Sequence, residues 1–207
     1  MSLVVVWRVN DPAEELRERR RILSLLGAVE TEPWHVVVSD RERRLQGFGT
    51  RQPAAAQQRL IVVSASTAPG EAVMLIPNAS GKWNVVQADT ALDGMLDRFH
   101  LFVPKRDRRI EGTRFRVSDF SVGLGGLRTR AGTRHIVMQV DYLPCAEIEQ
   151  AQLLVQDFLE AMDAPTTVLL DKVAEQFDLP TAAKDKGDGR HVHAVAQLIA
   201  GLQSLGV

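Results

Sequence analysis

The chain of 207 residues lacks the features that mark several large function classes. It has one cysteine, Cys145, so no internal disulfide can form and a reducing compartment is expected. No apolar run reaches the length of a membrane-crossing helix, and the opening Leu3-Val4-Val5-Val6-Trp7 is far too short. Residues 3–9 also carry no cleavage signature of a secretory leader. An excess of either charge is missing as well. Lys and Arg number 25 against 26 Asp and Glu, a net −1, which implies no global attraction to nucleic acid or membrane. There is no G-x-S-x-G, and Ser80-Gly81-Lys82 lacks the upstream glycine of a Walker loop.

What is present is a globular composition, 45% hydrophobic, long enough for one domain with a substantial core or a domain and an appendage. Residues 3–9 read as a β-branched strand. Asp11-Pro12 opens a helix, with Asp11 as N-cap and Glu14 and Glu15 near its positive end. Leu16, Ile22, Leu23 and Leu26 are expected on its apolar face, Arg17 and Arg19 to Arg21 largely off it, and Gly27 stops it. A second strand is predicted over 34–40, then a long connection over 41–58. Three short β-rich runs follow, the last two joined by a turn at Asn78-Ala79-Ser80-Gly81. Asp89 is expected to cap a short helix that buries Leu92, Met95, Leu96 and Phe99. After a hairpin ending in residues 135–143, a helix from about 146 to 162 carries a stripe of Ile148, Ala151, Val155, Phe158, Leu159 and Met162. Residues 167–177 look helical, 181–190 read as a polar linker, and 191–205 as a terminal helix.

Strands in neighbouring runs with short turns predict an α+β fold: an antiparallel β-sheet or barrel-like domain with flanking helices. Residues 1–162 form the expected core, and 163–207 a C-terminal extension packed on the same domain. Local charge is uneven. Residues 100–134 carry nine Lys or Arg against three acids, and 145–189 ten acids against three lysines, balances of +6 and −7. Such opposed patches suit docking, internal complementarity or plain solvation.

The stretch Ile110–Leu127 is glycine-rich, but it is not a dinucleotide loop. Gly123 and Gly125 fit the first two positions of G-x-G-x-x-G, Arg128 stands at the third, and a strand pattern follows instead of a helix. Phe115 and Val117 have one parity and Phe120, Val122 and Leu124 the other. A β-bulge near Ser118-Asp119 would place all five on one face. Glycines at 123, 125 and 126 imply a bend or a close neighbour.

Gly112-Thr113-Arg114, Ser118-Asp119-Phe120, Val122-Gly123, Val140-Asp141-Tyr142 and Pro144-Cys145, in this order and spacing, resemble the Mediator of RNA polymerase II transcription subunit 20 family. The resemblance covers about residues 3–162. Residues 163–190 are longer and more acidic than the family pattern, and Gly125 and Gly126 have no counterpart in it. It implies a barrel-like antiparallel fold, no catalysis and no cofactor. It further implies a nuclear scaffold in the head module, paired with the related subunit 18 near the C-terminal part of subunit 8, helping to link activators to RNA polymerase II. The same residues (Gly112, Thr113, Arg114, Asp119, Phe120, Gly123, Tyr142, Pro144 and Cys145) are then structural signatures, not catalytic groups.

A barrel of this kind is also similar to the triphosphate-tunnel metalloenzymes, which need E-x-E pairs on several strands. Glu30-Thr31-Glu32 is one such pair, abutting Pro33 at a strand start, and no second strand carries another; Glu147-Ile148-Glu149 stands at a helix start, where acids complement the dipole. One pair offers few oxygens for a hard cation. His191 and His193, two apart on a helix, do not face each other and are expected in solvent; His35, His100 and His135 are isolated. Cys145 is expected to be buried as a small apolar residue. Lys105, Arg106, Arg108 and Arg109 form a candidate basic docking patch. RNA binding there would lack aromatic interleaving, since Phe102 and Phe115 only flank it.

Overall fold

The computed structural model describes residues 2–43, 59–100, 102–130, 132–144, 148–165, 175–179 and 189–206. Nine strands form one sheet in the order β1-β8-β7-β6-β2-β3-β4-β5-β9. They are β1 (Ser2–Arg8), β2 (Val29–Arg43), β3 (Arg59–Ala65), β4 (Glu71–Pro77), β5 (Trp83–Asp89), β6 (Phe102–Val117), β7 (Phe120–Thr129), β8 (Gly132–Tyr142) and β9 (Phe177–Asp178). All pairings are antiparallel except β5 with β9. Among the described residues four helices accompany them: α1 (Pro12–Leu25), α2 (Ala91–Phe99), α3 (Ile148–Ala161) and α4 (Gly189–Ser204).

The fold is α+β, as expected, but the sheet does not close into a barrel. β1 and β9 remain as edges. The inner face gathers Val4, Trp34, Val36, Val38, Ile61, Val63, Val73, Leu75, Val85, Ile110, Leu127 and Val137 around the apolar residues of α4. Strands spaced about 4.8 Å apart can all reach one helix about 10 Å wide only if the sheet curls round it. Gln197 of α4 also covers the β1 edge. Its Oε1 accepts from the Val4 N–H at 2.6 Å and its Nε2 donates to the Ser2 carbonyl at 3.3 Å. A side chain thus takes the backbone groups that a tenth strand would have used, which removes a site of edge-to-edge aggregation.

On the outer face, α1 and α3 cover β1, β8, β7 and β6 through Leu3, Val5, Leu23, Phe115, Val122, Leu124, Ile136, Met138, Val140, Val155, Phe158, Leu159 and Met162. The caps of α1 follow the sequence: Asp11 Oδ1 accepts from the Ala13 and Glu14 N–H groups, and Gly27 has φ +77°. Asp89 is not the cap of α2 that was expected: the N-cap is Thr90, without a side-chain hydrogen bond, and Asp89 ends β5 with its Oδ1 accepting from Ala91 N. The Asn78–Gly81 turn is also present, Asn78 Oδ1 accepting from the N–H groups of Ser80 and Lys82.

Several expectations are corrected. There is no bulge at Ser118-Asp119. These two residues are the loop of a hairpin, with Val117 opposite Phe120 and Phe115 opposite Val122. Reversal of the chain returns both parities to the outer face, with Ser118 at φ +49° in the turn. β2 is longer than predicted, since Arg41, Glu42 and Arg43 continue its pairing with β6. Arg19 of α1 is buried, donating to the Met162 carbonyl and to Glu15, while Leu26 is exposed. Met95 and Phe99 of α2 are exposed rather than buried. α2 is held instead by buried Arg41, which reaches Asp97 at 2.6 Å and Asp93 at 2.8 Å. Burial opposes the charge of Arg41, but those two carboxylates outweigh it and hold its pKa above the usual value. Phe177 pairs in β9 where a helix was expected. Residues 44–58, 166–174 and 181–188, Ala131 and Cys145 to Glu147 lie outside the described residues, with the long connection, most of the polar linker and the expected burial of Cys145.

Candidate docking surfaces

Because α4 fills the middle of the inner face with apolar side chains, polar groups on that face collect at its two ends. Period two along β6 decides which residues they are. Arg106, Arg108, Ile110, Gly112 and Arg114 alternate inward, while Asp107, Arg109, Glu111, Thr113 and Phe115 alternate outward.

At the first end, Lys105, Arg106, Asp107, Arg108, Thr129, Arg130, Arg134, His135 and Gly206 line a cavity of about 410 Å³. The Arg108 side chain is only 7% exposed, and its nearest carboxylate, Asp40, is 3.9 Å away. Asp40 is already held by Arg59 through two hydrogen bonds of 2.9 and 2.7 Å. Burial pushes the Arg108 pKa down; Asp40 opposes this, and Arg106 and Arg59 add to it. His135 lies opposite Arg8, and its Nδ1 is buried without a partner among the described residues. Burial lowers its pKa, helped by Arg8 and Arg134. The predicted basic patch is therefore divided. Lys105, Arg106 and Arg108 belong to this cavity, whereas Arg109 is on the outer face opposite Arg128. Arg130, Arg134 and His135 join it through the β7–β8 hairpin. Their charge was visible in the sequence, but their placement depends on the register of three strands.

At the second end a cavity of about 450 Å³ is bordered by Glu32, Arg114, Ser121, Gln139, Asp141 and His191, among others. Arg114 donates to Asp141 and, at 2.7 Å, to Ser121 Oγ; Gln139 Nε2 donates to both Asp141 oxygens at 3.1 Å. His191 is not solvated as expected. Its Nε2 is buried without a partner among the described residues, and burial lowers its pKa against the pull of Glu71 and Asp141.

The remaining signature residues are packing elements. Gly112 lies against the backbone of β7, where an added Cβ would stand 2.0 Å from the Leu124 carbonyl oxygen. At Gly123 an added Cβ would stand 2.8 Å from the Trp34 indole, so the close neighbour is the largest inner-face side chain. Phe120 stacks on Phe158 with ring centroids 4.5 Å apart and lies 5.3 Å from Tyr142, pinning α3 to the sheet. Thr113 Oγ1 accepts from Arg20, and the Asp119 carbonyl accepts from Leu143 N next to Pro144.

The glutamate pair does not converge. A register shift at Thr31 places Glu30 opposite Phe115 and Glu32 opposite Arg114, so the two carboxylates leave opposite faces of the sheet. Among the described residues no group of three or more His, Cys, Asp or Glu could hold a metal ion. Exposed apolar side chains form smaller patches: Leu25, Leu26 and Val29 at the α1–β2 corner, Met95 and Phe99 on α2, and Leu153 and Leu154 on α3.

Comparison with known proteins gives a family match over nearly the whole chain. The family described as the TATA-binding related factor of subunit 20 of Mediator complex matches residues 1–199. Mediator of RNA polymerase II transcription subunit 20b of Arabidopsis thaliana is 32% identical over 78 residues, covering 37% of this chain and 36% of that protein. Among solved structures, a chain of the Schizosaccharomyces pombe Mediator head module has 11% identity and a TM-score of 0.39, over 77% of this chain and 94% of that chain, and PH1012 of Pyrococcus horikoshii has 12% identity and a TM-score of 0.46, over 80% of this chain and 92% of that chain. Likenesses this distant say nothing about what the chain does.

Proposed function

Since the chain belongs to the family of Mediator subunit 20, we propose that it is a non-catalytic scaffold subunit of the Mediator coactivator, working in the nucleus through contacts with other proteins. The observation that carries this reading is the extent of the family match. Residues 1–199 include the whole sheet and most of α4, the helix on which the sheet is built. Two features of the molecule support it. The centre of the inner face is filled by α4, leaving no continuous polar tunnel among the described residues. The exposed Leu25, Val29, Met95, Phe99 and Leu153 are apolar surface of the kind that partners cover.

The partner implied by the resemblance is a subunit-18-type protein, joined by the C-terminal region of subunit 8, with RNA polymerase II contacted indirectly. Co-expression with subunit 18 of the same organism, followed by size-exclusion chromatography at micromolar concentration, tests this. One co-eluting peak is expected, and addition of the subunit 8 segment shifts it further. Two separate peaks would overturn the partner assignment.

A further inference from the structure

We propose that the cavity between the end of α4, β6 and the β7–β8 hairpin is a binding site for a phosphate-type dianion. Five cationic side chains line it, Lys105, Arg106, Arg108, Arg130 and Arg134, against one acid, Asp107. Asp107 is in turn engaged by Ser39 Oγ at 2.9 Å, and Lys105 by Glu42 at 2.8 Å. Ser39 leaves the charge of Asp107 in place, so once Lys105 is paired with Glu42 four arginines stand against one carboxylate, and the cavity remains positive.

Arg108 is the strongest indication. Removing a guanidinium from water is costly unless a carboxylate and hydrogen bonds replace the water. Here the side chain is 7% exposed, its one carboxylate neighbour among the described residues is 3.9 Å away, and that carboxylate is shared with Arg59. His135 repeats the pattern independently, with a buried Nδ1 that has no partner among the described residues. Two buried, underused polar groups from different strands thus meet at one cavity. The negative end of α4, which reaches the cavity at Gly206, contributes only about half a charge. A tetrahedral dianion would accept from the Arg108 fork and be surrounded by Arg106, Arg130 and Arg134.

The volume, about 410 Å³, falls in the range of small-ligand sites, about 300–1,000 Å³. A single-stranded nucleic acid is disfavoured because no Phe, Tyr or Trp lines the cavity to stack on bases. A phosphate group can come from a free anion or from a phosphorylated side chain, and both present the same dianion. The inference is independent of the assembly proposed above, since the site is complete within one chain.

The test is calorimetric titration of the full chain at low salt. The probes are pyrophosphate, a glycine-flanked phosphoserine peptide, its unphosphorylated form and a short single-stranded RNA. Saturable binding of pyrophosphate or of the phosphopeptide is expected, with no binding of the unphosphorylated peptide. Binding of the phosphopeptide assigns the source to a protein; pyrophosphate alone assigns it to a free anion. Arg134→Gln and Arg130→Gln, both on the surface hairpin, are each expected to weaken binding roughly tenfold, the size of one charge-assisted hydrogen bond. Arg108→Gln is expected to do the same, and the surface variants keep the test valid if that one fails to fold. Arg109→Gln, on the opposite face, is expected to leave affinity unchanged. The proposal is overturned if neither phosphate probe saturates, if Arg109→Gln weakens binding as much as Arg134→Gln, or if RNA binds more tightly than both with a salt slope of several phosphates.

Discussion

Replacing Gly123 by alanine tests the packing of the inner face at its tightest point. The added methyl would lie 2.8 Å from Cδ2 and Cε2 of Trp34 and 3.0 Å from Cε3. Carbon atoms in favourable contact stand about 3.5–4.0 Å apart, so the indole must retreat by about 0.7 Å or more. It has little room, because Trp34 is 1% exposed and packed within the cluster that contains α4. Overpacking of this kind costs about 1–3 kcal/mol. Against it stands the loss of unfolded-state freedom, worth about 0.4–1 kcal/mol, since Gly123 has no left-handed φ that alanine would resist. The net expectation is destabilisation of about 1.5 kcal/mol, or a fall in Tm of about 3–6 °C for a chain of this size. A thermal melt followed by circular dichroism reads it. The same measurement on Trp34→Phe and on the double variant completes a cycle. Phenylalanine has a shorter ring system, and it also removes an indole N–H that is buried without a partner among the described residues. Coupling of at least about 0.5 kcal/mol in favour of the double variant is expected. A Tm for Gly123→Ala equal to or above that of the parent would refute the contact.

Gly112→Ala is expected to do far worse, because the new Cβ would stand 2.0 Å from a backbone oxygen and 2.5 Å from the Gly125 Cα, neither of which can rotate away; loss of soluble, cooperatively melting protein is the readout. Phe120→Ala removes the ring stacked on Phe158 and is expected to cost roughly 3 kcal/mol, the low end for a large aromatic truncation, because Phe120 is only partly buried; chemical denaturation measures it, and an unchanged midpoint removes Phe120 from the core. His135 and His191 both have pKa values lowered from 6.5 by burial. The unfolded chain therefore takes up protons first, so stability is expected to fall as pH drops below about 6.5 and to level off only below the depressed folded values. His191→Gln should reduce that slope in a Tm-against-pH series, and an unchanged slope would remove His191 from its cause.

Local chemistry made much of this fold readable in advance. Asp11, Gly27, Asn78 and Asp89 each act through the backbone within a few residues of themselves, and each does what its side chain or φ permits. Patterning alone misplaced what depends on partners far along the chain. The two parities around Ser118-Asp119 are compatible with a bulge or with a two-residue turn, and only pairing with β8 and β6 distinguishes them. Helical spacing puts Arg19 largely off the apolar face of α1. Its guanidinium is buried because the Met162 carbonyl and Glu15 accept from it. Met95 and Phe99 have the helical spacing of a buried stripe, yet α2 is fastened by ion pairs to Arg41 instead. The basic cavity shows the same limit. Nine cations between residues 100 and 134 were countable, but alternation along β6 sends Arg108 inward and Arg109 outward, and no count contains that.

The position of α4 decides how the two polar ends can be used. Arg108 and Arg114 lie six residues apart on the inner face of β6, about 20 Å along the strand. Between them are Ile110, in the apolar cluster that contains α4, and Gly112, which lies against the β7 backbone. Two charged sites separated by that length of close-packed hydrocarbon cannot share one small substrate. At one end the Arg114 guanidinium is itself satisfied, bonded to Asp141 and Ser121, so its charge serves the fold. The end at Arg108 is not, and its charge is left for something outside the described chain. The same helix that fills the centre of the inner face therefore separates two ends that differ. A variant that shortens α4 from its C-terminal side should open the Arg108 cavity without disturbing the Arg114 end. Hydrogen exchange measures this directly. Faster exchange confined to β6 residues 106–109 and the β7–β8 hairpin is the expected result. Equal acceleration around Arg114 and Asp141 would mean that the two ends are one cooperative unit, and that the division argued from the helix is wrong.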